Sequence, residues 1–271
     1  MDAEGDREIG GIRPFRPEDL IAIYAAGVFP MAERADDPTV FWIDPEMRGI
    51  IPIDPFHVPA SLRKRLKKRP FRVTINRAFD DVIAGCAAHT PVRGETWINQ
   101  PIRDWFRALH RMGWAHSVEC WDAQGGLIGG LYGLAIGRAF FGESMFSKVT
   151  DASKVALVHL VARLSTRGFT LLDTQFVNPH LLQFGCIEIP RAAYHSLLES
   201  ALSGDGPGDD GSGAGVSFIG SAAPTGFSED FSGGLSLASG DSPGAASPVV
   251  GAEDSDWDSV IGFLQSRTVT S

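Results

Sequence analysis

Between Phe140 and Arg191 an apolar strand-like run, a helix-like segment and a second strand-like run follow one another closely, and no other stretch restricts the fold as much. RAFFGESMFS reads as a strand and FTLLDTQF as another. Between them ASKVALVHLVARLS reads as a helix, with Thr150 or Asp151 as its cap and Gly168 at its end. That order implies a right-handed crossover, which lays the two strands parallel in one sheet. The same stretch sets Glu143, Asp173 and Gln175 singly among apolar neighbours. Burying a carboxylate is costly, so two in one unit point either to a site or to a strong ion pair.

The flanking segments fill in an α+β domain with helices packed on a mostly antiparallel sheet. Pro17 opens a helix over EDLIAIYAAG that Gly27 ends, and VFPMAE and VFWIDPEMRGIIPID read as short strands around Pro45 and Gly49. FRVTIN is a strand, FDDVIAGCAA and WINQPIRDWFRALHRMGWA are helices, HSVECWD and LIGGLYGLAIG continue a meander, and PRAAYHSLLESAL is a closing helix. Residues 1–55 form a small N-terminal unit and residues 56–202 the main domain.

Charge divides the chain sharply. Residues 203–271 hold ten acids and one base, so they carry the whole net charge of −9, and residues 1–202 balance 23 bases against 23 acids. From 203 to 255 the composition collapses to Gly, Ser, Ala, Pro and Asp, which cannot bury enough apolar surface to offset its ordering entropy and is expected to be disordered. Residues 256–271 include WDSVIGFLQSR, with Trp257, Val260, Ile261 and Leu264 at helical spacing, either a frayed end or a short helix docking back on the domain. Three unclustered cysteines, an acidic polar start and the lack of a long apolar run fit a cytoplasmic protein with no membrane span.

The residues leave several chemistries open. GESMF lacks the second glycine of a nucleophile elbow, Phe146 standing in its place, and no Asp and His pair suited to a triad follows it. There is no P-loop, no GxGxxG and no metal-ligand spacing; His116, His159 and His180 read as structural or surface residues. The strand pattern suits an acyl-CoA N-acyltransferase, but SMFSKVTDAS has no glycine-rich turn to cradle a pyrophosphate. The run Arg63, Lys64, Arg65, Lys67, Lys68 and Arg69 is either the solvated face of a helix or a phosphate-binding patch, the latter also compatible with a non-catalytic RNA-binding adaptor. Glu143 and Asp173 either pair with Arg138 or Lys148 or, in the case of Asp173, share a strand face with Gln175, where a carboxylate and a carboxamide can form a proton-accepting and orienting pair. On spacing alone the apolar neighbours are core rather than pocket.

FPMAE, FWIDPEMRG, ETWI, HSVECW, GGLYGLAIG, FFGESMFS, ASKVAL, LLDTQFVNPH and CIEIPR, in this order from about Phe15 to Leu202, closely resemble the bacterial leucyl/phenylalanyl-tRNA–protein transferases. The resemblance implies a small N-terminal domain and an N-acetyltransferase-like (GNAT-like) domain that uses neither CoA nor any other cofactor or metal. It implies transfer of leucine or phenylalanine from charged tRNA to proteins with an N-terminal Arg or Lys, marking them for degradation. By position, Asp173 is similar to the family's proposed proton acceptor, Gln175 to its partner and Glu143 to the nearby site carboxylate. Trp97, Leu131, Phe140, Ser144, Met145, Leu157, Leu160, Leu164 and Leu172 correspond to the substrate site, and the basic run to the patch that meets the tRNA acceptor stem. Met31 stands where well-known members carry an aromatic, and Leu160 and Leu164 where some carry Phe.

Overall fold

The computed structural model describes residues 15–89, 96–203 and 257–266. In chain order the elements are α1 (Asp19–Ala25), β1 (Phe29–Met31), β2 (Phe41–Ile43), β3 (Met47–Ile50), α2 (Ala60–Leu66), β4 (Arg72–Ile75), α3 (Phe79–Ala87), α4 (Gln100–Arg111) and β5 (Ala115–Trp121). They continue as β6 (Leu127–Ile136), β7 (Ala139–Ser147), α5 (Ala152–Thr166), β8 (Leu171–Gln175), α6 (Pro179–Leu182), β9 (Ile187–Pro190), α7 (Arg191–Ser203) and α8 (Trp257–Ser266). The expected helices and strands are present; α6 and β9 are additions. The stretch 204–256, most of the expected disordered segment, lies outside the described residues, as do residues 1–14 of the N-terminal unit.

A mixed seven-stranded sheet in the order β4-β5-β6-β7-β8-β3-β9 carries the fold, beside a two-stranded sheet of β1 and β2. All neighbours in the large sheet are antiparallel except β7 and β8, which run parallel across the α5 crossover, as the strand–helix–strand order requires. β3, from the N-terminal 55 residues, is inserted between β8 and β9, so the N-terminal segment supplies a strand of the main sheet.

Both faces of the sheet are covered, which explains why its central strands read as apolar runs rather than alternations. Phe140, Leu131 and Leu172 pack on one face with residues of α2, α5 and α8. Phe141, Tyr132 and Leu171 pack on the other with residues of α1, α3, α4 and α7. α5 is buried along most of its surface, consistent with its broad apolar face.

The glycines of β6 have a packing cause. A Cβ on Gly133 would stand 2.3 Å from the Phe141 carbonyl oxygen and 2.4 Å from the Phe140 ring, and one on Gly129 would stand 2.5 Å from Cβ of Ala152 at the start of α5. Gly133→Ala is therefore expected to destabilise the protein by about 1–3 kcal/mol through overpacking, measurable as a lower urea midpoint with an unchanged m-value.

Candidate active site

The site begins where two parallel strands part. Pairing of β7 with β8 covers Ala139–Leu171, Phe140–Leu172 and Phe141–Asp173 and ends there. Beyond the last pair, Gly142, Glu143, Ser144 and Met145 of β7 and Thr174 of β8 line a cavity of about 320 Å³. Its apolar wall is Leu131, Leu157, Leu160, Leu172 and Leu181, and Thr96, Trp97, Tyr132 and Asn178 complete it. Parted strands leave a gap reached from both faces of the sheet, so α5 leucines and residues of the opposite face meet in one cavity.

Asp173 is fully buried and saturated. Arg48 of β3 donates from Nε to Oδ1 at 3.0 Å and to Oδ2 at 3.2 Å, and from Nη2 to Oδ2 at 2.6 Å. The Tyr194 hydroxyl of α7 donates to Oδ2 at 2.8 Å, and the backbone N–H of Gln175 donates to Oδ1 at 2.8 Å. Arg48 is itself fully buried; it also donates to the Gly27 carbonyl at 2.9 Å, and its guanidinium carbon lies 4.6 Å from the Phe29 ring centre and 4.3 Å from that of Tyr194. Burial alone opposes the charge on Arg48, but Asp173 outweighs it and holds the guanidinium above its usual pKa. Burial, and then the charge of Asp173, push the Tyr194 hydroxyl up, so it stays a donor. The partner of Asp173 is thus Arg48, not Arg138 or Lys148.

Glu143 is the opposite case. It lies on the cavity wall, almost completely buried, and its Oε1 has no hydrogen-bond partner. Burial first, then the charge of Asp173, raise its pKa to about 8 against the opposing effects of Tyr24 and Arg48. The Tyr24 hydroxyl is close enough to act on Glu143 electrostatically, yet neither it nor Oε1 makes a hydrogen bond of ordinary geometry. Gln175 occupies the left-handed region at φ +58°, a strained conformation for a residue with a side chain. With its carboxamide turned so that nitrogen faces carbonyls, it donates to Gly142 at 2.9 Å and to Thr174 at 3.2 Å.

Of the residues nominated from sequence, Glu143, Trp97, Leu131, Ser144, Met145, Leu157, Leu160 and Leu172 come together on the cavity wall. Phe140 and Leu164 lie in the core rather than on the lining, both fully buried. Asp173 and Gln175 sit beside the cavity and do not line it. Sequence reasoning missed Arg48, Tyr194, Tyr24 and Leu181. Arg48 had a signal: a single base at the head of the apolar run Gly49–Ile53 needs a buried counter-charge.

The basic run spans α2 and the turn after it. Arg63 donates from Nη1 to the Leu264 carbonyl at 2.7 Å, Arg65 donates to the Thr150 carbonyl at 3.1 Å and approaches Asp151 at 3.6 Å, and Arg69 pairs with Asp258. Lys64, Lys67 and Lys68 are exposed. His116 and His159 are buried, and burial lowers the pKa of each to about 3. Among the described residues no cluster of His, Cys, Asp or Glu could hold a metal ion, and no helix is long and apolar enough to cross a membrane.

A leucine-lined cavity with a carboxyl on its polar wall suits a transferase that holds a substrate by an apolar group and aligns a reactive carbonyl beside it. The sequence profile of the leucyl/phenylalanyl-tRNA protein transferases matches residues 50–199, and that of their N-terminal domain matches residues 13–46. Leucyl/phenylalanyl-tRNA–protein transferases of Hyphomonas neptunium and Rhodopseudomonas palustris are similar to this chain. The first is 54% identical over 72% of this chain and 79% of its own length, the second 57% identical over 69% and 84%. That of Phenylobacterium zucineum is 57% identical over 70% of this chain and 85% of its own. Among solved structures, L-PGS from Bacillus licheniformis has 12% identity over 61% of this chain and 55% of that chain, at a TM-score of 0.35. This chain belongs to the leucyl/phenylalanyl-tRNA–protein transferase family and is an aminoacyltransferase.

Removing Arg48 leaves a buried charge without its partner. Arg48→Met is expected to cost about 3–5 kcal/mol in chemical denaturation, and Arg48→Met combined with Asp173→Asn to cost less than Arg48→Met alone, because no charge is then stranded.

Proposed function

We propose that this enzyme moves leucine or phenylalanine, with methionine as a third substrate, from charged tRNA to the α-amine of proteins that begin with Arg or Lys, in the cytoplasm and as a mark for degradation. The observation that carries the reading is Glu143, a buried carboxyl on the polar wall of a leucine-lined cavity, whose Oε1 has no hydrogen-bond partner. The apolar wall takes the aminoacyl side chain, with Trp97, Ser144 and Met145 beside it. Burying a charged aminoacyl group there would be penalised. We also read the main domain, residues 56–202, as N-acetyltransferase-like. The antiparallel run β4–β7 and the α5 crossover to a parallel β8 support that reading.

The reaction is aminolysis of an activated ester. The amine nitrogen bonds to the ester carbonyl carbon, the carbon–oxygen bond to the terminal ribose breaks, the amine loses a proton and the ribose oxygen gains one. Alignment of amine and carbonyl is worth roughly 7–11 kcal/mol of barrier. Both oxygens of Asp173 are committed to Arg48, Tyr194 and the Gln175 N–H, so the accepting role falls to Glu143. Its pKa of about 8 is close to the roughly 7.7–8.0 of an α-amine, which suits it to take the proton and return it to the leaving oxygen. Gln175, its nitrogen bonded to the Gly142 and Thr174 carbonyls and its backbone fixed by Asp173, acts as a positioning residue that holds the ends of the two strands beside Glu143. Lys64, Lys67 and Lys68, with the arginines of the run, meet the acceptor stem.

Labelled Leu-tRNA or Phe-tRNA with an Arg-starting peptide is expected to give the extended peptide, and acetyl-CoA with the same peptide to give none. Product from acetyl-CoA alone would reject the proposal. The pH profile tests the base. Below pH 8 two groups, the amine and Glu143, must both lose protons, so log kcat/KM for the peptide rises with a slope of about two; in Glu143→Gln only the amine titrates and the slope falls to about one, with a lower plateau.

A further inference from the structure

α8 lies outside the 50–199 segment that matches the family profile, yet it is seated on the main domain. Val260, Phe263 and Leu264 are buried in the same core as α2 and α5, and Trp257 meets the His159 ring edge-on at 4.4 Å. Both ends of the helix are tied to the basic run. Near its start Asp258 pairs with Arg69, and near its end the Leu264 carbonyl accepts from Arg63. The carbonyls of a helix's last turn carry partial negative charge, so that end attracts a guanidinium as a phosphate would. The chain enters α8 through Glu253, Asp254 and Asp256.

Accordingly, we propose that α8 is a built-in competitor of tRNA: a segment of this chain that docks on the basic run and holds back two of its cations, lowering affinity for charged tRNA until it is displaced. This rests on the reading of the run as the tRNA patch. The contacts at the two ends of α8 differ from a plain structural brace in each engaging a guanidinium of the basic run, Arg69 through a carboxylate and Arg63 through a backbone carbonyl. Lys64, Lys67 and Lys68 stay exposed with α8 in place, so an incoming acceptor stem gains a first hold before the helix leaves. Displacing α8 releases Arg63 and Arg69 to the RNA, each adding one phosphate contact.

The test uses the full chain. Val260→Asp with Phe263→Asp undocks α8 through its apolar anchor, and Asp258→Asn weakens only the Arg69 contact. Binding to an uncharged tRNA is measured for each across a salt series, beside Lys64→Glu with Lys67→Glu. The undocked variant is expected to bind about tenfold more tightly at low salt, its slope of log K against log salt steeper by about two. Asp258→Asn is expected to bind more tightly by a smaller factor, and it alone decides the matter if a thermal melt shows the double variant unfolded. Unchanged or weaker binding in the undocked and Asp258→Asn variants, with the lysine reversals still weakening binding, overturns the competitor and leaves the patch standing. Unchanged binding in the lysine reversals overturns the patch, and the competitor with it.

Discussion

The ion pair between Arg48 and Asp173 is the contact on which the architecture turns. Both side chains are essentially removed from water, 1% and 0% exposed. Taking two charges out of water costs several kcal/mol per ion, and attraction offsets that only when the remaining donors and acceptors are also satisfied. Here they are. Arg48 gives its other hydrogen bonds to the Gly27 carbonyl and the Tyr194 hydroxyl, and Asp173 takes further ones from Tyr194 and Gln175. The groups come from the end of α1, from β3, from β8 and from α7, so one pair ties the N-terminal segment and the closing helix to the parallel strands. It also holds the left-handed backbone of Gln175, which a residue with a side chain adopts only when its surroundings demand it.

That pair also sets two carboxylates apart electrostatically. Glu143 and Asp173 share similar intrinsic acidity and lie on neighbouring strands, but one is surrounded by donors and the other by apolar walls and tyrosines. Environment, not residue type, sets such roles. The negative charge of Asp173 adds to burial in pushing Glu143 upward. A carboxylate locked to structure thereby tunes one left at the cavity. Tyr132 on that wall and Tyr24 near Glu143, both buried with pKa values driven up first by burial and then by Glu143, add polar groups without contributing charge.

Much of the fold was legible because it rests on local patterns. Capping residues, glycine stops and apolar runs located nearly every helix and strand, and the strand–helix–strand order implied the parallel pair that the structure contains. Much of the cavity wall was named through the family resemblance, whereas spacing alone read the same residues as core: Phe140 and Leu164 share the leucine pattern yet do lie in the core. What was hidden is long-range. Arg48 and Asp173 are 125 positions apart, and no local rule joins them. The insertion of β3 between β8 and β9 is equally long-range: a strand from the first 55 residues joins the sheet of the main domain, and no local pattern announces that pairing. α8 stood as one of two readings of a short apolar pattern, decided by an apolar surface on the domain that no tail sequence displays.

The parting of β7 and β8 also bears on how selective such a cavity can be. A wall of leucines recognises shape through dispersion and exclusion of water, and adding or removing a methylene there is worth only about 1–3 kcal/mol. On the proposed reading of the cavity as the aminoacyl site, leucine and methionine, close in apolar volume, fall within that tolerance, and Met145, whose unbranched side chain adapts to irregular gaps, gives the wall room to adjust to a larger ring. A polar or charged side chain falls outside it, since nothing on the apolar wall could replace its lost hydration. Under that proposed role, exclusion of charged side chains needs no dedicated discriminating residue. The polar groups of the cavity, Glu143 among them, lie instead at the split between the strands, apart from the leucine wall.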